Sequence, residues 1–126
     1  MLVHLAVNNY AIVDHLELEI GGGMTAITGE TGAGKSIMLD ALALTLGDRA
    51  DSGAVRPGTD KADILATFDI SQIPEAGAWL AERDLASDDQ QVILRRVITA
   101  EGRSRGYING SPCPQQDLKA LGGMLI

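Results

Sequence analysis

Apolar residues within the first 28 positions either alternate with polar ones or form short runs. Over residues 14–20 the alternation is strict, and this period of two predicts a strand with one exposed face and an antiparallel partner. Residues 2–7 form another predicted strand, which Asn8-Asn9 should end. Residues 24–28 are short and have little polar character. We therefore expect three strands, the third leading into a glycine-rich stretch.

The spacing of the apolar residues changes after the glycine-rich stretch. Over residues 37–46 apolar side chains recur at helical spacing, and Gly47 stands where a helix C-terminal cap belongs. Residues 48–60 are polar and contain Pro57, which predicts an exposed loop. Residues 62–70 alternate again and predict a half-exposed strand.

The second half of the chain continues to mix helices and strands. Pro74 suits the first turn of a helix over residues 74–85, with Trp79 and Leu80 on its buried face. Residues 92–99 are rich in β-branched side chains and predict a strand.

A hairpin and a short helix complete the pattern. Asn109-Gly110 is a strong hairpin signal after the strand predicted over residues 104–108. Residues 114–121 predict a helix that Gly122-Gly123 should stop. The last three residues are apolar, without a cap or a polar tail, so we expect the chain to be truncated within a domain.

Composition narrows the class of protein. Hydrophobic residues make up 45% of the 126 and charged residues 21%, which is ordinary for a soluble globular domain. No run approaches the ~20 apolar residues of a membrane span, so we expect no membrane partner. The N-terminus lacks the basic flank and apolar run of a secretory signal, and a single cysteine fits a reducing compartment, so we expect a cytoplasmic protein. The net charge of −7 argues against a general nucleic-acid-binding surface. The single cysteine, Cys113, has no internal partner, and we interpret it as an ordinary thiol.

The glycine-rich stretch matches the phosphate-loop pattern G-x-x-x-x-G-K-[S/T] between a predicted strand and a predicted helix. We expect it to bind ATP with Mg²⁺ through eight residues: Gly29, Glu30, Thr31, Gly32, Ala33, Gly34, Lys35 and Ser36.

Each residue type that this pattern specifies has a chemical reason. The glycines permit backbone conformations that a Cβ forbids and let N–H groups surround the phosphates. Lys35 should reach the β- and γ-phosphates, and the Ser36 hydroxyl should ligate Mg²⁺. The following helix presents its positive end to the same anion. Only Lys35 among these residues is expected to take part in catalysis.

Hydrolysis requires more than this loop, because a carboxylate must also hold Mg²⁺. Asp69, near the end of a predicted strand, is a local candidate, but the alternation around it favours a surface strand. His4 and His15 stand alone in the sequence, and we interpret both as surface or strand-edge residues rather than metal ligands.

The basic residues concentrate in one region. Arg95-Arg96 and residues 103–105 form the basic cluster of the chain. We interpret it as a solvated hairpin that offsets the acidic surface. A contact to phosphate or to another domain is the functional alternative.

The chain resembles the N-terminal lobe of ABC-type ATPase heads of the structural-maintenance-of-chromosomes (SMC) class. The similarity is closer still to a bacterial DNA repair member of that class. It rests on residues 9–13, 23–32, 55–58, 94–98 and 102–110. The last stretch, Gly-Arg-Ser-Arg-Gly-Tyr-Ile-Asn-Gly, is the more specific one, since many families share the phosphate loop.

The resemblance implies a function in recombinational repair of DNA double-strand breaks. It implies ATP held between two copies of the head, DNA as a partner of the full-length protein, and a nucleoid-associated location. It also implies that residues 1–126 are one lobe of an ATPase head, active only with further parts of the protein.

The expected fold is therefore α/β: a P-loop strand and helix flanked by an antiparallel sheet. Two other functions stay open from the residues. A small P-loop kinase would need an acceptor pocket and an arginine-rich lid. A non-catalytic binding module would use the nucleotide only as a switch.

Overall fold

Seven strands of the described residues form a single antiparallel sheet. The computed structural model describes residues 2–11, 13–21, 24–27, 32–49, 55–87 and 89–125, with the backbone alone at 20–21, 24–27 and 32–36. The strands are β1 (Leu2–Tyr10), β2 (Val13–Gly21), β3 (Met24–Ile27), β4 (Lys61–Asp69), β5 (Gln91–Thr99), β6 (Ser104–Ile108) and β7 (Ser111–Cys113). The helices are α1 (Gly32–Thr45), α2 (Pro74–Glu82) and α3 (Gln115–Leu125). The expected α/β class with an antiparallel sheet is confirmed.

The strand order is β3-β2-β1-β4-β5-β6-β7, and every neighbouring pair is antiparallel. Most neighbours are also consecutive in the sequence, but β1 pairs with β4 across an intervening helix. β4 is therefore an interior strand, and β3 lies at one edge.

One face of the sheet forms the core. In β4 and β5 alternate residues are buried, and the register aligns these positions in rows across neighbouring strands. α1 packs against β1, β4 and β5, while α3 packs against β6 and α2. The helices thus lie on one side of the sheet, and the alternation predicted from the sequence correctly separates the inner from the outer face.

β1 runs further than the sequence predicts. It continues through Asn8 and Asn9 to Tyr10, and Asn8 pairs with residues of both β2 and β4. The predicted stop was wrong because two neighbouring strands satisfy the backbone there. Asn9 takes a positive φ of 54°, a conformation that asparagine tolerates better than most residues.

The segment predicted as an exposed loop is partly structured. Residues 50–54 lie outside the described part of the chain, but Val55 is buried and bridges Tyr10. The N–H of Arg56 donates to the carbonyl of Asn9 at 2.8 Å. The prediction was therefore wrong at Val55, which adds to the core.

The predicted end of the last helix was also wrong. α3 passes through Gly122-Gly123 and continues to Leu125. Leu118, Leu121 and Leu125 are buried on one face, and this packing outweighs a propensity cost of about 1 kcal/mol for each glycine. A Cβ at residue 122 would lie 2.8 Å from the carbonyl oxygen of Leu46, so glycine permits the close approach of α3 to the end of α1.

Other local predictions are confirmed. The hairpin forms at Asn109 and Gly110, which both have positive φ (49° and 86°), as a two-residue turn of this kind requires. α2 begins at Pro74 and buries Trp79 and Leu80, although it ends at Glu82, three residues before the predicted end.

Candidate phosphate-binding site

The junction between β3 and α1 carries the glycine-rich stretch. β3 ends at Ile27, and α1 begins at Gly32, five residues earlier than its apolar period predicts. Of the eight predicted binding residues, Gly29, Glu30 and Thr31 lie outside the described residues. The other five, Gly32, Ala33, Gly34, Lys35 and Ser36, form the first turns of α1.

The early start of α1 bears directly on anion binding. The first N–H groups of a helix have no acceptor within it, and in α1 they belong to glycine-rich residues. Together with the helix dipole, such N–H groups favour a negative charge at this end. The geometry of strand, short connection and helix is the arrangement that the phosphate-loop pattern requires.

The opposite end of α1 is fixed by a buried arginine. Arg96 is 1% exposed, and its Nη1 donates to the carbonyls of Leu44 (2.8 Å) and Asp48 (2.9 Å). Its Nη2 donates to Ser104 Oγ at 3.1 Å. Burial lowers the pKa of Arg96, while the charge of Asp48 opposes this shift. A cation at the C-terminal end of a helix also complements its dipole.

The interpretation of the basic cluster as solvated was therefore wrong for Arg96. A signal was present in the sequence, since Arg96 has the same inward parity as Leu94 and Ile98 along β5. Arg103 and Arg105 are exposed, as expected.

Arg95 points to the other face of the sheet. Its guanidinium makes two hydrogen bonds to Asp63, Nε to Oδ1 at 2.9 Å and Nη2 to Oδ2 at 2.6 Å. It also lies over the ring of Tyr107, 5.4 Å from the centroid. The bond to Asp63 raises the pKa of Arg95. The side chain of Arg95 is therefore held in place on the outer face of the sheet by Asp63 and Tyr107.

Asp69 lies at the wrong end of the sheet for a ligand of the loop's metal. The register aligns Ile27 of β3 with Ala66 of β4, and the two strands run in opposite directions. Asp69 is therefore about 10 Å from this row along β4, away from the loop, and about 14 Å across three strand spacings. Its Oδ1 accepts the N–H of Ser71 at 2.8 Å, and this bond lowers its pKa. The sequence-based preference for a surface position agrees with this geometry.

The histidines are not isolated, contrary to the sequence analysis. His4 Nε2 lies 3.1 Å from Glu17 Oε2, and His15 Nε2 lies 3.4 Å from Glu17 Oε1. Strand register brings the two histidines to Glu17, and a sequence without known register gives no sign of this contact.

Cys113 is half-buried, and burial raises its pKa to about 11. This agrees with an ordinary thiol, since thiolates are the reactive form.

Comparison with known proteins identifies the family to which this chain belongs. A family model described as an AAA domain matches residues 4–109. This range covers most of the chain, including the β3–α1 junction.

The chain belongs to the AAA domain family.

Two curated relatives match this AAA domain along its entire length. Both are named DNA repair protein RecN: that of Vibrio cholerae is 52% identical over 126 residues, and that of Haemophilus influenzae is 45% identical over 128. They confirm the resemblance to a bacterial DNA repair protein. The chain spans 23% of the length of each relative.

A solved structure confirms the resemblance in fold. It comes from work on ATP-driven dimerization and DNA-stimulated activation of SMC ATPases. The two chains superpose with a TM-score of 0.71 at 20% identity, over 98% of this chain and 78% of that one. The AAA domain described here therefore has the fold of SMC-class ATPase heads.

Within the described part of the chain, none of the helices is long and apolar enough to cross a membrane.

Proposed function

We propose that this chain is the ATP-binding lobe of an SMC-like ATPase that acts in recombinational repair of DNA double-strand breaks. One observation carries the proposal. A complete phosphate-loop pattern follows β3 and continues into the first turns of α1, in a chain whose curated relatives are named for DNA repair.

The loop of residues 29–36 would hold ATP with Mg²⁺. Backbone N–H groups from the loop and from the start of α1 would surround the phosphates. The ammonium of Lys35 would neutralise charge between the β- and γ-phosphates, and the Ser36 hydroxyl would ligate Mg²⁺. When bound, Mg²⁺ supplies positive charge where negative charge develops during phosphoryl transfer.

Hydrolysis would require groups outside this chain. Phosphoryl transfer needs electrostatic stabilisation from several directions, and Asp69 lies too far from the loop to contribute. In the intact protein, a second copy of the head would complete the site around the γ-phosphate. ATP-driven dimerization is named for the solved SMC ATPase of the same fold, and this supports the pairing.

DNA would be a partner of the intact protein. The net charge of −7 gives this chain no general basic surface, so most phosphate contacts would come from elsewhere in the protein. The intact protein would act in the cytoplasm, associated with the nucleoid. Neither a small P-loop kinase nor a nucleotide-switched module is favoured by relatives that are named for DNA repair.

ATP binding and turnover by the intact protein test the proposal. Lys35→Ala should weaken Mg-ATP binding roughly 10- to 100-fold in calorimetry, since hydrogen bonds to charged groups contribute about 1.5–3 kcal/mol. Turnover, followed by phosphate release, should fall to background in the same variant. Lys61→Ala removes an exposed lysine of β4 and is the matched control. Near-normal ATP affinity in Lys35→Ala would refute the assignment of the loop.

A further inference from the structure

The outer face of the sheet carries a cluster of potential metal ligands to which the proposed ATP binding assigns no role. His4 stands on β1, and Glu17 and Glu19 stand two residues apart on β2. The register places His4 opposite Glu19 and Ala6 opposite Glu17. All three side chains therefore project from the same face of adjacent strands.

The ligand atoms lie close to the spacing that a metal ion requires. One ligand atom from each of His4, Glu17 and Glu19 lies within 4.8 Å of the others, and His4 Nε2 lies 3.1 Å from Glu17 Oε2. Ligands around a tetrahedral ion with bonds of about 2.0–2.1 Å are roughly 3.3 Å apart. Small rotations of the glutamate side chains would close the remaining difference.

A second histidine is oriented toward the same cluster. Asn8 Nδ2 donates to the carbonyl of Asp63 at 3.5 Å, so its Oδ1 faces His15. His15 Nδ1–H donates to that oxygen at 2.6 Å. The other ring nitrogen, Nε2, then faces Glu17 Oε1 at 3.4 Å. Metal-binding histidines are commonly oriented in this way, through a hydrogen bond from the nitrogen that does not face the metal.

Charge in the cluster suits a divalent cation. Glu17 and Glu19 place two carboxylates side by side, and like charges so close are unfavourable without a cation. The hydrogen bond from His4 lowers the pKa of Glu17. Two carboxylates and one neutral imidazole would balance the charge of the ion.

We infer that His4, Glu17 and Glu19 form a site for a divalent transition-metal ion such as Zn²⁺, with His15 oriented toward it by Asn8. Imidazole together with carboxylate favours Zn²⁺ or Co²⁺ over Mg²⁺ and Ca²⁺, which prefer oxygen ligands alone. The ion would join β1 to β2, in the hairpin that precedes β3 and the phosphate loop. The inference does not depend on the proposed ATPase function.

Titration of the intact protein with Co²⁺ tests the site, because its visible absorption reports the ligands directly. The titration omits nucleotide and contains excess Mg²⁺, which occupies oxygen-ligand sites. One equivalent of Co²⁺ should bind, and Zn²⁺ should displace it. Glu17→Gln and His4→Gln should each weaken binding at least about tenfold, the minimum cost usual when even a supporting residue of a metal site is lost. Glu101→Gln, which removes an exposed carboxylate outside the cluster, should bind Co²⁺ as the unmodified protein does.

Thermal unfolding provides a second measurement. Zn²⁺ should raise the unfolding temperature of the unmodified protein and of Glu101→Gln, because an ion that binds only the folded state stabilises it. At the same Zn²⁺ concentration the rise should be clearly smaller in Glu17→Gln. Absence of saturable Co²⁺ binding, or equal binding by Glu17→Gln and Glu101→Gln, would refute the site. Mg-ATP affinity should be the same in all of these variants. A result that refutes the metal site would therefore leave the proposed ATP-binding function intact.

Discussion

At the scale of single residues, the hydroxyl of Ser36 offers a sharp test of the metal assigned to the phosphate loop. Ser36→Ala should weaken ATP binding by roughly five- to tenfold with Mg²⁺ present, equivalent to about 1–1.4 kcal/mol for one lost interaction. In EDTA the loss should be much smaller, because the hydroxyl then has no metal to ligate. Calorimetry under both conditions measures the difference.

Asp69 supplies the control for this experiment. It is the other local candidate for a metal ligand, but it lies at the end of the sheet opposite to the loop. Asp69→Asn should therefore bind ATP normally with Mg²⁺ and with EDTA. An equal loss in Ser36→Ala under both conditions, or a Mg²⁺-dependent loss in Asp69→Asn, would contradict these assignments.

Sequence alone assigns a role to single residues only where a local pattern defines their chemistry. The phosphate-loop residues are assigned from spacing within eight positions, and their role in binding stays a prediction. Arg96 was misinterpreted because it follows Arg95 in a basic pair, although its parity along β5 is that of the buried Leu94 and Ile98. The contact of His4 with Glu17 depends on the pairing of two strands, which no single residue indicates.

At the scale of elements, the two glycines of α3 give opposite predictions for one substitution. A Cβ at Gly122 would lie 2.8 Å from the carbonyl oxygen of Leu46, whereas a Cβ at Gly123 meets nothing within 4 Å. Gly122→Ala should destabilise the packing of α3 on α1 by about 1–3 kcal/mol, as overpacking does. Gly123→Ala should stabilise the helix by about 0.5–1 kcal/mol.

Hydrogen exchange of α3 amides in the intact protein distinguishes the two variants. Exchange should be faster in Gly122→Ala and slower in Gly123→Ala than in the unmodified protein. The two substitutions are chemically identical and adjacent, so each is the control for the other. Changes of the same sign in both would show that the contact with Leu46 does not decide the choice of glycine.

The attachment of α1 to the sheet depends on Arg96. Arg96→Met keeps only the aliphatic part of the side chain and removes the guanidinium that donates to the carbonyls of Leu44 and Asp48. The Leu44 carbonyl then keeps only the N–H of Gly47, and the loss should cost about 1–3 kcal/mol. Arg95→Met removes the half-exposed pair with Asp63 and should cost about 1 kcal/mol or less. Amide exchange across α1 should therefore increase strongly in the first variant and little in the second.

A functional consequence accompanies this loss of stability. α1 carries residues 32–36 of the phosphate loop at its other end, so Arg96→Met should also weaken ATP binding, whereas Arg95→Met should not. Equal effects of the two variants on α1 exchange would refute the role given to Arg96.

Whether the sequence predicts a strand or helix correctly depends on how far apart in the chain the interacting residues lie. Strands and hairpins were predicted because alternation and turn residues act over a few positions. The ends of β1 and α3 and the burial of Val55 were not, because contacts with distant segments override local propensity there. Tyr10, for example, pairs with Val55 across 45 positions, and this pairing leaves no periodic signal.

At the scale of the whole molecule, the order of the strands is the feature that the sequence does not reveal. Most neighbours are joined by short connections, and a pattern of strands and turns predicts such pairs. The pairing of β1 with β4 instead joins residues about 60 positions apart, and it makes β4 an interior strand. The sheet consequently extends from the phosphate loop at one edge to the hairpin of residues 104–113 at the other.

The ATPase site proposed above requires groups from outside this chain, and this leads to a prediction for the whole molecule. The chain spans 23% of the length of its curated relatives, and within its described residues Asp69, the local candidate for a metal carboxylate, lies far from the loop. The purified 126-residue chain should therefore release no phosphate from ATP above the background of its Lys35→Ala variant, and it should bind ATP only weakly. The intact protein, assayed in parallel, should hydrolyse ATP. Addition of the remaining part of the head as a separate chain should restore turnover if the two parts associate. A robust rate from the 126 residues alone, lost in Lys35→Ala, would contradict the requirement for a second head and would indicate a small, self-sufficient NTPase.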